Sequence, residues 1–489
     1  MSEVTCYPGN TAKRFPLYDP LLRADVEAIF QHALAVVLPE AALHRHVHLD
    51  AGANCLTVAG RPYDLTAYRR IFVVGGGKAA RRTGAALAAL LGDRLTAGIL
   101  NVYQDQASTP IHPQITLFAA DHPTPNEAGA KGARWMLNLL EKADAGTLVI
   151  ALISGGGSSL MALPVPEITL ADYCIVNNLL LTVPATICEI NAVRKHLDLL
   201  KGGGLRKAAQ RAAAFVSLVL SDVPVTKTGV VDDPEVIASG PTVGDVSTFA
   251  TAKAVLVDHG LWEQIPPTVQ TYIEANQEKP EHETLRKDSP LLAEARNQYV
   301  LIANNDLAME AAGQKARDLG YAVELVGCHT SRTADKIQGE VNDEAERLWG
   351  IVAPRLGRDD RVTVACLSTD GVDGHSDLAG AMTDDEILTR AAVAGLDSHR
   401  FLAAYDSATF FDTLGGGIRT GPTGTNVADL AIVLVTNPGQ PERRCALVFG
   451  GEATVRLPPP TGQPTGRGGR NTHLVLLVAQ KLADHRRKT

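Results

Sequence analysis

Long apolar runs are missing from this 489-residue sequence. No stretch approaches the ~18 consecutive apolar residues a membrane-spanning helix needs, so a membrane partner is not expected. Cysteine is scarce too. The seven, at 6, 55, 174, 188, 328, 366 and 445, are odd in number and never spaced CxxC. That pattern suggests neither a disulfide framework nor a zinc site, and we read them as reduced thiols. Basic tracts are also absent and the formal net charge is −8, which argues against a nucleic-acid partner but leaves small anions open, because single loops can be locally positive. The opening MSEVTCYPGN lacks a signal-type apolar segment, so a cytoplasmic compartment is expected. What is present, 45% apolar and 20% charged residues, describes a packed globular enzyme of two or three domains.

Short apolar runs alternate with alanine- and leucine-rich amphipathic stretches. IFVV (71–74), TAGILNVY (96–103), ITLFAADH (115–122), TLVIALI (147–153) and AFVSLVLSD (214–222) read as strands of a mostly parallel sheet with helices on both faces. The stretch 262–298 is polar, charged and dotted with proline, and the domain boundary is placed there, giving domains 1–285 and 286–489. QYVLIAN (298–304), YAVELVG (321–327), RVTVACLS (361–368), LAIVLV (430–435) and CALVFG (445–450) are assigned to a second α/β domain.

Chemistry-bearing residues gather on glycine-rich loops after these strands. GGGKAA (75–80) lets backbone approach a ligand through Gly76 and Gly77 and offers the charge of Lys78. It is neither a Walker loop nor a GxGxxG fingerprint, and a plain tight turn would look similar. SGGGSSLM (154–161) offers Ser154, Gly155, Gly156, Gly157, Ser158 and Ser159 as a cradle for phosphate or carboxylate, with a capped turn as the blander reading. It does not match the GxSxG nucleophile elbow. NAVRKHLDLLKGGGL (191–205) carries Asn191, Arg194 and Lys195; the two basic neighbours do not share a helix face, so at most one is expected in a site. Asp222 ends a predicted strand, and Asp232 and Asp233 follow in VVDDPE; carboxylates at such an edge hold Mg²⁺, orient a hydroxyl or cap loops. STDGVDGHSDLAGA (368–381) crowds Asp370, Asp373 and Asp377 without EF-hand spacing. Thr425 and Asn426 in GPTGTNVADL, Glu452 in GGEATV, and Arg467, Gly468, Gly469 and Arg470 in GRGGRN complete the set. Each motif is weak alone; together they point to an enzyme of anionic ligands.

In combination these segments resemble the glycerate 2-kinases that join a Rossmann-like N-terminal domain to a MOFRL C-terminal domain. VVGGGKAA, DHPTPNEAG, ISGGGSSLM, INAVRKHLDLLKGGGL, SDVPVTKTGVVDDPEVIASGPT, STDGVDGHSDLAGA, YDSATFF, GPTGTNVADL, GGEATV and GRGGRN carry the likeness, from about residue 71 to the end. The resemblance implies a three-layer α/β domain followed by a second α/β domain. It also implies ATP and Mg²⁺ as co-substrates, glycerate as acceptor, 2-phosphoglycerate as product, and an active site between domains. Lys78 and Arg470 fall where the family's key lysine and arginine lie. In the family GGE…GRGGRN precedes the TDGxDG loop and TGTNV closes the chain. Here the order is TDGVDG, then GPTGTNV, then GGEATV and GRGGRN, so the second domain reads as circularly permuted, joined through TNPGQPERR (436–444) and cut between ADHRRKT and GRDDRVT (357–363). His375-Ser376 and Thr472-His473 also stand where the family has proline-threonine and glutamine-glutamate.

The expected division of labour follows. Lys78 and the SGGGSS loop would hold the glycerate carboxylate or a phosphate, Arg470 would neutralise the moving phosphoryl group, and Asp222 or Asp233 would orient the hydroxyl or hold Mg²⁺, with Asp370 and Asp373 as further metal candidates. A homodimer is a possible assembly. The competing readings are a nicotinamide-dependent hydroxypyruvate reductase and a non-catalytic hydroxy-acid binding protein.

Overall fold

The computed structural model describes residues 19–223, 230–327, 341–451 and 466–488. A small antiparallel sheet comes first, β1 (Val47–Asp50), β2 (Cys55–Val58) and β3 (Arg61–Asp64). The first large sheet follows, from β4 (Arg70–Gly76), β5 (Ala97–Tyr103), β6 (Ile115–Ala120), β7 (Thr147–Ser154), β8 (Ala214–Leu220) and β9 (Asn297–Ala303). All six pair in parallel in the order β6-β5-β4-β7-β8-β9. Every residue of β7 and β8 is buried, as an apolar strand covered by helices on both faces must be. Strand order reverses between β4 and β7, and ligands of open α/β sheets bind at such a switch point, beyond the strands' carboxyl ends.

Strand β9 corrects the domain boundary. A break at 285/286 would give this strand to the second domain, yet it pairs with β8 along Phe215–Leu220 and closes the first sheet. Its alternation of half-buried and buried residues fits an edge strand of either sheet, and only the pairing decides.

The second large sheet contains β10 (Ala322–Val326), β11 (Arg361–Ser368), β12 (Gly380–Asp384), β13 (Gly417–Ile418), β14 (Asp429–Asn437) and β15 (Gln440–Gly451), in the order β10-β15-β14-β11-β12-β13. Only β10 and β15 are parallel; the other pairs are antiparallel. The segment 436–444 is a tight hairpin in which Asn437 pairs with Gln440. The last helix, Arg470–Lys488, returns its end to the loop before β11, where Arg486 donates to the carbonyls of Arg358 and Asp360 and pairs with Asp385. A rotated chain order requires this hairpin join and this closeness of the relocated ends.

The helix Pro20–Val37 locks the sheets together. Asp19 caps its start and Pro20 fills its first turn. Its apolar stripe, Val26, Ile29, Phe30 and Ala33, is fully buried in a core shared by both large sheets. The helix packs on Asn305–Asp318, while Asp25 receives the Arg444 guanidinium at 2.8 Å and the Tyr321 hydroxyl at 2.7 Å. Among the described residues no single helix is long and apolar enough to cross a membrane. Phe30→Ala is expected to cost about 3–5 kcal/mol by leaving a cavity at this junction. Urea unfolding would show it, and an unchanged midpoint would mean that the junction contributes little.

Candidate active site

The loops after β4 and β7 meet at the switch point. Gly77 sits at φ +135°, and a Cβ there would stand 2.2 Å from Ser154 Oγ, so a side chain is excluded on two counts. The Lys78 amide donates to the Gly155 carbonyl at 2.8 Å and the Ala79 amide to Ser154 Oγ at 3.1 Å. These amides are spent within the protein. The GGGKAA loop is therefore no backbone anion cradle; what it delivers to the cleft is the lysine. Gly76 packs against Met161, and Ser154 is a buried brace rather than a ligand.

Lys78 reaches across to the second domain, pairing with Asp370 at 2.9 Å. Burial pulls its basicity down, but Asp370, Tyr103 and Asp222 more than offset that, and the ammonium is held more firmly protonated than a free lysine. Asp370 experiences the reverse: burial favours its neutral form, and Lys78 with the Ser368 hydroxyl overcomes it, leaving the carboxyl more acidic than usual. Half-buried Asp222 behaves differently. Burial dominates over its cationic neighbours Lys78 and Arg470, so its carboxyl is a better proton acceptor than an exposed aspartate. Asn426 Nδ2 from the second domain donates to it at 3.0 Å. Gly155 must lack a side chain because a Cβ would lie 1.8 Å from the Asp222 carboxylate.

The cleft between the sheets has a volume of about 560 Å³. Lys78, Tyr103, His122 and Asp222 line it from the first domain, and Asp370, Thr425, Asn426 and Arg470 from the second. Arg470 opens the final helix and is braced by Asp429, its Nη2 lying 3.1 Å from Oδ1. The structure thus brings together Lys78, Asp222, Asp370, Asn426 and Arg470 from loops nearly 400 residues apart in sequence.

Other sequence candidates have structural duties. Buried Lys195 pairs with Asp245 at 2.9 Å and Glu235 at 3.6 Å and is not among the residues lining the cleft. Arg467 is half-exposed and bonds to Asp377 at 2.9 Å; Gly468 and Gly469 give room to Ser407 and Asp373. Asp373 caps the final helix, accepting from the amides of Asn471 and Thr472 at 2.9 and 2.8 Å. Asp233 accepts from the Glu235 amide at 3.0 Å, a turn contact. The proposed metal set of Asp233, Asp370 and Asp373 does not assemble, and among the described residues no three histidine, cysteine or acidic side chains converge on a metal-sized space. Thr425 reaches the cleft wall, but its hydroxyl is bonded to the Val37 carbonyl at 2.8 Å. Ser159 donates to the Pro123 carbonyl at 2.7 Å, and Gly157 packs on Ala238. Glu452 lies outside the described residues.

Sequence reasoning missed Tyr103 and His122. They stand at the ends of β5 and β6, next to the switch point, with ring centroids 6.2 Å apart and nearly perpendicular planes. His122 is exposed at the cleft wall; partial loss of its water shell among the neighbouring side chains, with the charges of Lys78 and Arg194, lowers its pKa to about 4. It is a neutral imidazole at physiological pH. The DHPTPNE segment held this signal, but nothing local marks which of its residues faces the cleft.

A parallel sheet with this switch point, closed by a second domain that adds an arginine and the carboxylate of Asp370, defines an α/β phosphotransferase of the interdomain-cleft type. Residues 25–274 match the model of a domain of unknown function, DUF4147, and residues 336–429 match the MOFRL family, a match that stops before β15 and the GRGGRN loop. A glycerate 2-kinase of Pyrococcus horikoshii is 33% identical over 66% of this chain and 79% of its own length. A putative hydroxypyruvate reductase of Agrobacterium vitis is 34% identical over 75% of this chain and 87% of its own. The crystal structure of a Thermotoga maritima glycerate kinase superposes with a TM-score of 0.67 at 25% identity, covering 85% of this chain and 99% of that one. The chain belongs to the glycerate 2-kinase family and is a kinase.

Proposed function

We propose that the protein transfers the γ-phosphoryl group of ATP to the C2 hydroxyl of glycerate, giving 2-phosphoglycerate and ADP. The observation that carries this is the convergence of Lys78, Asp222, Asp370 and Arg470 on one interdomain cleft. Phosphoryl transfer needs positioning and charge neutralisation, and two cations aimed at one space supply them. Asp222 takes the hydroxyl proton as the new P–O bond forms and the bond to the β-phosphate oxygen breaks. Its raised proton affinity suits that task. Arg470, held by Asp429, is placed to neutralise the equatorial oxygens of the moving group.

The donor set also fits Mg²⁺, which keeps most of its shell as water and phosphate and needs only one or two protein carboxylates. Asp370 would hold it, leaving Asp222 to the hydroxyl proton, and the ion would draw charge from the nucleotide's phosphates. The permuted order of the second domain is part of this reading: the hairpin at 436–444 and the Arg486 contacts keep the loops in place despite the altered connectivity.

A coupled ADP assay across small hydroxy acids tests the proposal, with ³¹P NMR on the product. Turnover should require both ATP and glycerate, and the phosphorus should couple to the single C2 proton. Coupling to two protons would place the phosphate on C3. The reductase alternative predicts NADH oxidation by hydroxypyruvate without ATP; the loop after β4, which lacks GxGxxG, offers no dinucleotide cradle.

A further inference from the structure

Among the described residues, the cations in and beside the cleft differ in their partners. Lys78 is matched by Asp370, Arg470 by Asp429 and Lys195 by Asp245. Arg194 is not matched. Among the described residues its half-buried guanidinium meets no carboxylate, and its bond is from Nε to Asn177 Oδ1 at 2.6 Å. Burial alone lowers its affinity for the proton, the signature of a charge that has lost water without gaining a counterion.

The surroundings of Arg194 are built rather than accidental. Its helix, Ile187–His196, starts with a capping box between Thr186 and Glu189 and is anchored by Lys195 to Asp245 and His196 to Glu283. Three residues before Arg194 stands Asn191, one helical turn away and only 2% exposed. Its Oδ1 accepts from Ser239 Oγ at 2.9 Å, and Ser239 Oγ meets Ser158 Oγ of the SGGGSS loop at 2.8 Å. Asn191 Nδ2 is buried with no hydrogen-bond partner among the described residues. A buried donor without an acceptor and a half-buried cation without a counterion are costly unless an anion completes them.

This helix is tied toward the catalytic cleft by the Asn191–Ser239–Ser158 chain, since Gly156 of the same loop lies beside Lys78 and His122. The imidazole experiences the charge of both Lys78 and Arg194. At Gly156 an added Cβ would lie 3.3 Å from Lys78 Cγ and 3.4 Å from His122 Cδ2, so the two side chains flank the same glycine. His122 therefore stands beside the phosphoryl-handling lysine, at the loop that the Asn191 chain reaches.

We infer that Arg194, seconded by Asn191 Nδ2, binds the carboxylate of the acceptor acid and makes the enzyme selective for small 2-hydroxy monocarboxylates over uncharged polyols. The acid would lie along His122 with its carboxylate toward Arg194 and its hydroxyls toward Asp222. Neutral His122 accepts a hydrogen bond there without competing for the anion. This rests on the kinase reading and adds to it which wall of the cleft takes the acid.

The test uses the full-length enzyme, glycerate and ATP. Arg194→Gln should raise the KM for glycerate about 10²-fold, the loss expected when a charge-assisted hydrogen bond to a carboxylate is removed. The KM for ATP and the melting temperature should stay near wild type. Arg194→Lys keeps the charge but not the two-pronged geometry, so a smaller rise of about tenfold is expected, and this variant carries the test if Arg194→Gln does not fold. Glycerate should raise the melting temperature of wild type and not that of Arg194→Gln, a readout independent of turnover. Wild-type turnover of glycerate with unchanged glycerate KM in both variants overturns the Arg194 assignment and leaves the kinase reading standing. An equal rise in both KM values overturns it too. No wild-type turnover of glycerate overturns the kinase reading itself.

Discussion

Lys78→Met is expected to lower kcat by about 10²–10⁴-fold, the range for removing one preorganised charge stabiliser from a phosphoryl-transfer or acyl-transfer site. The fold should survive, because the lysine amide, not its side chain, makes the contact with Gly155 that closes the strand ends. The KM for glycerate should change far less than kcat if the ammonium acts on the moving group. Removing it also leaves Asp370 and Asp222 facing one cleft without their shared cation. Lys78→Met/Asp370→Asn separates the two effects. If its kcat recovers to near wild type, carboxylate repulsion was the cause and Lys78 has no direct role. If it stays well below that of Asp370→Asn alone, the lysine acts on the substrate.

Arg470→Gln should produce two losses that a second substitution pulls apart. The first is catalytic, about 10³-fold in kcat, as for other arginines that neutralise a transferring phosphoryl group. The second is structural. Asp429 is 6% exposed and would be left without its guanidinium partner, at a cost of about 3–5 kcal/mol. Arg470→Gln/Asp429→Asn should regain most of the lost stability, because a neutral pair no longer buries an uncompensated charge, and regain none of the activity. Denaturant unfolding and steady-state kinetics on the two variants decide it. Full activity in either variant ends the assignment of Arg470 to the chemistry.

The acid limb of stability offers a further check on His122. Its folded pKa of about 4 lies below the ordinary value, so between roughly pH 6.5 and 4 the unfolded chain binds the proton that the folded one refuses. Stability should therefore fall as pH drops through that window, and His122→Asn should flatten the fall. The ring is partly open to cleft water, which limits the size of the effect but not its sign.

The strands were legible because their signals are local. TLVIALI reads as a doubly covered strand from its apolar run alone, and it is β7. GGGK and SGGG read as strand-to-helix turns, and their register at the switch point follows once β4 and β7 pair. The duties of the charged residues were not legible. Lys195 and Arg194 are neighbours in one basic pair, and only the packing of their helix sends the first to buried Asp245 and the second to the neutral amide of Asn177. Asp370 and Asp373 lie three apart in one acidic loop, yet the first meets Lys78 and the second caps a helix about a hundred residues downstream.

By itself the sequence determined the parallel α/β core, the glycine loops beyond its strands and the family, since apolar runs and turn residues act over a few positions. Tertiary structure alone decided that β9 belongs to the first sheet, that the helix Pro20–Val37 joins both sheets, and that His122 stands in the cleft. Each of these depends on which surfaces meet across hundreds of residues, and a side chain's chemistry is set by the partner it meets there rather than by its neighbours along the chain.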